Sequence, residues 1–138
     1  MRFLLDTNVL SELARQKPAA RVAAWIRAQS TLDLAISALT LGEIEKGVKL
    51  LPAGRRREAL EAWLSSDLPR QFSGRVLAVD TLAWGRLSAA GRQAGRELPV
   101  VDGLLLATAS VHALTLVTRN EGDCRDRGIS VLNPWTEA

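Results

Sequence analysis

Residues 3–13, FLLDTNVLSEL, run from a short apolar stretch straight into Asp6, Thr7 and Asn8 before apolar residues resume at helical spacing. Phe3 to Leu5 has no polar alternation, so it reads as a short strand buried on both faces. An acid hard against the end of such a strand has two readings. Asp, Thr and Asn are the residue types that cap a helix N-terminus. The carboxyl end of a strand in a parallel sheet is also where α/β proteins bind ligands, so Asp6 is equally a candidate metal ligand.

The rest of the chain supplies the frame. Helical patterns cover about 9–15, ended by Pro18, and 19–29, with Val22, Trp25 and Ile26 on one side. Leu34 to Ile36 is a second apolar run. Ser37 caps a helix carrying Leu39, Leu41, Ile44, Val48 and Leu51 up to Pro52. Arg55 to Arg57 open an amphipathic helix through Leu64, and Pro69 and Gly74 mark a loop. Val76 to Val79 is a third strand, followed by a helix from Asp80 or Thr81 to about Arg96. A further helix spans roughly 103–112, and Thr115–Thr118 and Ile129–Leu132 are the last strands. Strands alternating with helices imply an α/β fold, a parallel sheet of about five strands covered on both faces. Residues 1–138 read as a single domain, without repeats or a linker.

Composition narrows the function classes. Hydrophobic residues make up 47% and charged residues 24% of the chain, which is the balance of a folded globular protein. The single cysteine, Cys124, cannot form an internal disulfide, which fits a reducing cytoplasmic setting. The apolar region 98–117 is interrupted by Asp102, Gly103 and His112, so it reads as a core helix and strand rather than a membrane span. The net charge of +3, carried mostly by arginine, permits contact with a polyanion. The Arg55–Arg57 run reads first as a solvated helix start. Arg92 and Arg96, in GRQAGR, stand four apart on a helical pattern and are the better candidates for substrate phosphate contact.

The acids fall in a pattern. Asp6 follows the first strand and Asp123, in TRNEGDC, follows the fourth, so both meet at the carboxyl edge of a parallel sheet. Asp102 joins them if its helix starts at that edge. In TLGEIEKG, Glu43 and Glu45 lie two apart and face different ways, so only one can serve the same site, and helical spacing does not choose between them. Clustered carboxylates repel unless a cation holds them. Oxygen ligands without histidine or cysteine select Mg²⁺ or Mn²⁺, which can activate water against a phosphodiester.

These residues carry a resemblance. LLDTNVLSEL, ISALTLGEIEKGV, VVDGLLLATA, LVTRNEGDC and VLNPW, in that order over essentially the whole chain, resemble a PIN-domain ribonuclease, most closely a VapC-type toxin of the FitB-like branch. The resemblance implies a three-layer α/β/α sandwich and a cytoplasmic, Mg²⁺- or Mn²⁺-dependent endoribonuclease. It implies a homodimer, a cognate antitoxin that joins it in a hetero-oligomer, an RNA substrate, and no membrane association. It carries over Asp6, Glu43, Asp102 and Asp123 as catalytic and metal-binding acids, choosing Glu43 over Glu45, and places Asn8 and Thr118 in support. One departure is Cys124, where the family often has an aromatic; it leaves Asp126 as the alternative fourth acid.

Two other readings compete. A catalytically impaired PIN domain would bind RNA or protein without cutting. A phosphate-transfer enzyme with Asp6 as nucleophile would want a second acid two residues on, where Asn8 stands.

Overall fold

The computed structural model describes residues 1–137. Five strands, β1 (Phe3–Leu5), β2 (Leu34–Ser37), β3 (Val76–Leu77), β4 (Thr115–Val117) and β5 (Val131–Leu132), form one sheet in the order β3-β2-β1-β4-β5. Every pairing is parallel. β1 lies at the centre, with Leu4 opposite Ala35 on one side and Leu116 on the other. A strand so placed has neighbours on both edges and helices on both faces, which is why all three of its residues are apolar and buried.

Strand alternation divides the core in two. Phe3, Leu5, Leu34, Ile36 and Val117 face one cluster, which they share with Val9, Val22, Trp25, Ile44 and Phe72. Leu4, Ala35 and Leu116 face the other, with Leu98, Leu105, Leu106, Ala109 and Cys124. Helices α1 (Thr7–Leu13), α2 (Ala20–Arg27), α3 (Ala38–Lys49), α4 (Arg55–Ala62) and α5 (Leu68–Gln71) supply the first layer. Helices α6 (Thr81–Gln93) and α7 (Val100–Val111) cover the opposite face, and α8 (Glu121–Cys124) is a single turn after β4. The architecture is the three-layer α/β/α sandwich expected. Among the described residues no helix is long and apolar enough to cross a membrane.

The differences from the sequence reading are local. The loop expected around Pro69 is helical: Pro69 of α5 stands directly behind a π turn, which shifts the helical hydrogen bonds at the position where its N–H is missing. That turn, Trp63–Asp67, joins α5 to α4. β3 and β5 are each only two residues long, shorter than the runs 76–79 and 129–132 suggested. α7 starts at Val100 rather than near Gly103. α6 ends at Gln93 instead of about Arg96, because Gly95 adopts φ +70° and terminates it.

Candidate active site

Asp6 takes both of its sequence readings at once. It is the N-cap of α1, with Oδ1 accepting the Thr7 N–H at 2.6 Å, and it is 6% exposed at the end of the central strand. Its Oδ2 accepts the hydroxyl of buried Thr118, across the β1–β4 pairing, at 2.7 Å. Thr118 Oγ1 in turn accepts the Asn120 N–H at 3.0 Å. Asn8 Nδ2 approaches Thr118 Oγ1 at 3.4 Å and Asp6 Oδ2 at 3.5 Å, while its Oδ1 accepts the Arg119 N–H at 3.3 Å. Both support residues therefore sit against Asp6.

Glu43 enters from α3. The helix is capped by the Ser37 side chain, which accepts the Leu39 N–H, and its inward face carries Thr40, Ile44 and Val48. Half-buried Glu43 shares an edge of that face, and the Thr7 hydroxyl donates to its Oε1. Thr7 Oγ1 also lies 3.2 Å from the buried Thr40 hydroxyl. Exposed Glu45 points elsewhere and stands 3.7 Å from Lys49 on the next turn. The geometry thus separates the two glutamates that spacing could not.

Asp102 lies in the first turn of α7, and that turn sits at the strand ends: Asn120 Nδ2 donates to Asp102 Oδ2 at 2.8 Å and stands 3.2 Å from Asp123 Oδ2. Asn120 is the bridge between the third and fourth acids. Asp126 does not join them. It adopts φ +61° and lines a cleft with Leu87, Ala90 and Arg96, on the α6 side. Cys124, in the place of the expected aromatic, is completely buried in the second core cluster. Burial first, then the charges of Asp102, Asp6 and Asp123, push its thiol up to about 12, so it stays protonated and unreactive at neutral pH.

Thr7, Thr40 and Asn120 escaped the sequence reading. The available signal was position, since Thr7 and Asn120 lie within three residues of strand ends that carry an acid. Arg96 is a correction. It does not share a helical face with Arg92, because α6 stops between them, and its guanidinium is engaged by the main chain at Gly122 and Arg125. Arg92 is exposed at the end of α6. Arg119 is exposed beside Thr118, its guanidinium stacked 5.0 Å above the Trp135 ring.

The edge gathers negative charge, and burial and mutual repulsion raise two of its carboxyls. Among the described residues none of the four acids is paired with a lysine or arginine. Burial raises the Asp6 carboxyl, opposed by the hydrogen bonds from Thr118 and Thr7, with the Glu43 charge raising it further. Burial also raises Asp102, helped by the charges of Asp6 and Asp123. Among the described residues no three acidic, histidine or cysteine side chains close around a single point. The acids stand instead around Thr7, Thr118 and Asn120, each satisfied by a neutral donor. An all-oxygen set of this kind fits a hard divalent cation and does not fit zinc or copper.

Three layers around a parallel sheet, with carboxylates arrayed at the carboxyl ends of its central strands, define an α/β domain whose acids lie at the edge where such sheets commonly bind ligands. The chain belongs to the PIN domain family, whose profile matches residues 3–126. It is 36% identical over 136 residues to the toxin FitB of Neisseria gonorrhoeae, covering 96% of this chain and 98% of that protein. The VapC ribonuclease Y4jK of Sinorhizobium fredii is 35% identical over 139 residues, covering 99% of each chain. The crystal structure of FitAcB from Neisseria gonorrhoeae superposes with a TM-score of 0.92 at 35% identity, covering 97% of this chain and 99% of that one.

Proposed function

We propose that the chain is a metal-dependent endoribonuclease and the toxin of a type II toxin–antitoxin pair, with Asp6, Glu43, Asp102 and Asp123 holding Mg²⁺ or Mn²⁺. One observation carries this reading: four acids from four separate segments share one sheet edge, linked through Thr7, Thr118 and Asn120 and, among the described residues, without a cationic partner. The names of two relatives, a toxin and a ribonuclease, support the class of reaction.

When bound, the cation supplies Lewis-acid charge that lowers the pKa of water and offsets charge on the phosphodiester. The chain's own residues do the rest. Thr7 N–H and Thr118 Oγ–H favour the charged form of the Asp6 carboxyl and fix its position, while burial, the larger effect, opposes its charge. The Thr7 hydroxyl orients Glu43, so one residue serves two acids. Asn120 keeps Asp102 and Asp123 at a set spacing. Arg119, rigidified by Trp135, and the exposed Arg92 are the proposed contacts to substrate phosphates. A groove of about 170 Å³ lined by Glu43, Val48, Leu51, Arg56, Leu60 and Trp63 opens next to the site and suits an amphipathic segment of the antitoxin.

The test is cleavage of a structured RNA by the purified, antitoxin-free chain in Mn²⁺, with Asp6→Asn alongside. Loss of a metal-binding acid is expected to slow cleavage at least about 100-fold. Equal cleavage by both proteins would refute the mechanism. RNA that the wild type binds but leaves intact would favour the impaired, binding-only domain.

A further inference from the structure

The segment that carries Asp123 is held from outside the acidic edge by two arginines, and we propose that Arg96 and Arg127 are positioning residues that set the fourth acid in place. The inference rests on the metal-site reading above. α8 is one turn long, so the carbonyls at its end have no following turn to receive N–H groups from. Guanidinium groups fill that role. Arg96 donates through Nη2 to Gly122 O at 2.8 Å and through Nη1 to Arg125 O at 2.5 Å. Arg127 donates through Nε to Asp123 O at 2.7 Å, and through Nη1 to Arg96 O at 3.1 Å. The two forks thus grip three carbonyls of the acid-bearing turn and are tied to each other.

The route by which Arg96 reaches this turn is written in GRQAGR. Gly95, at φ +70°, lets α6 end with the Gly95 N–H on Arg92 O at 3.1 Å and the Arg96 N–H on Gly91 O at 2.8 Å. That pair of bonds folds residue 96 back over the last turn of α6. Gly91 is buried, and a Cβ there would lie 2.8 Å from Arg96 O and 2.9 Å from Arg127 Nη1. The helix therefore leaves out a side chain at the one place where the two arginines meet. Asp126, at φ +61°, turns the chain so that Arg127 reaches back to Asp123 O. On the inner side, Cys124 anchors the turn in the core. The backbone of Asp123 is thereby fixed from two directions, while its carboxylate is left facing Asn120. Lysine has the charge but not the planar fork, so it cannot grip two carbonyls at once.

The test compares full-length Arg96→Lys and Arg127→Lys, both retaining charge, with Arg96→Ala and with the wild type. In metal-free protein, the NMR signals of the Asn120 side-chain amide report its bonds to Asp102 and Asp123. They are expected to move in the folded lysine variants. The Mn²⁺ concentration giving half-maximal RNA cleavage is expected to rise about tenfold, with the rate at saturating Mn²⁺ within about twofold of wild type. Binding of Mn²⁺ alone, followed by electron paramagnetic resonance, should weaken to match. Unchanged Asn120 signals in folded variants would overturn the proposal, and so would unchanged Mn²⁺ half-saturation. If the wild type binds no Mn²⁺, the metal reading fails, and the Asn120 signals still decide whether the arginines position Asp123.

Discussion

Replacing Thr118 with valine would remove one hydroxyl from the middle of the site and leave its volume nearly unchanged. Thr118 is completely buried, and its Oγ1 donates to Asp6 Oδ2 at 2.7 Å while accepting the Asn120 N–H at 3.0 Å. In Thr118→Val the Asp6 carboxylate keeps the Thr7 N–H but loses its other strong donor, and the Asn120 amide loses its acceptor. A hydrogen bond to a charged group contributes about 1.5–3 kcal/mol, so a loss of about 2 kcal/mol is expected at neutral pH. For a domain of this size that lowers Tm by roughly 7 °C. The effect depends on pH. The Asp6 carboxyl is raised in the folded protein, chiefly by burial and against the Thr118 hydrogen bond, so its ionisation opposes folding. The stability tied to its protonated form is fully present below the unfolded carboxyl's pKa and is lost as pH rises through the folded value. Without Thr118 the folded value climbs further, so the variant's deficit grows between acid and neutral pH. Thermal unfolding of both proteins in a chelator, at pH 4 and pH 7.5, measures this directly. A Tm difference that is the same at both pH values would refute the electrostatic part of the reasoning, and no difference at either would refute all of it.

Three more outcomes follow from the same geometry. Asp102→Asn keeps an oxygen for Asn120 but removes a charge opposed by burial and by Asp6 and Asp123, so it should raise the Tm of metal-free protein near neutral pH while abolishing cleavage. Glu43→Gln should lose most RNA cleavage, whereas Glu45→Gln, on the exposed side of α3, should cleave as wild type; the reverse ranking in a cleavage assay would contradict the placement of the two side chains. Gly103→Ala would bring a Cβ to 3.0 Å from the Trp84 ring and 3.2 Å from Leu98, and overpacking of this kind costs about 1–3 kcal/mol, readable as a fall in the denaturant midpoint.

Short apolar runs with capping residues behind them made the sheet and its helices legible, because a fully buried strand and an amphipathic helix differ in period. Pro69 reads as a breaker in sequence, yet a helix carries it where a π turn shifts the hydrogen-bond ladder, and composition does not record such a turn. Asp6 and Asp123 were placeable at one edge from parallel topology alone. The choice of Glu43 over Glu45 was not, since it depends on which way α3 turns about its axis. Thr7, Thr118 and Asn120 hold the acids through side-chain bonds that span up to 112 residues, and no local pattern records such partners. GRQAGR keeps helical spacing in sequence, but the left-handed backbone of Gly95 ends the helix and sends the Arg96 side chain another way.

The position of β1 bears on how the protein is made. Its partner β4, and the threonine that holds Asp6, emerge from the ribosome 112 residues after Asp6 itself, a delay of roughly 5–20 s at ordinary rates of synthesis. Until then the central strand has one open edge and the first acid has none of its long-range companions from α7, β4 or α8. The acidic edge is therefore completed only once β4 has paired with β1 and the turn behind it, with Asn120 and Asp123, has folded.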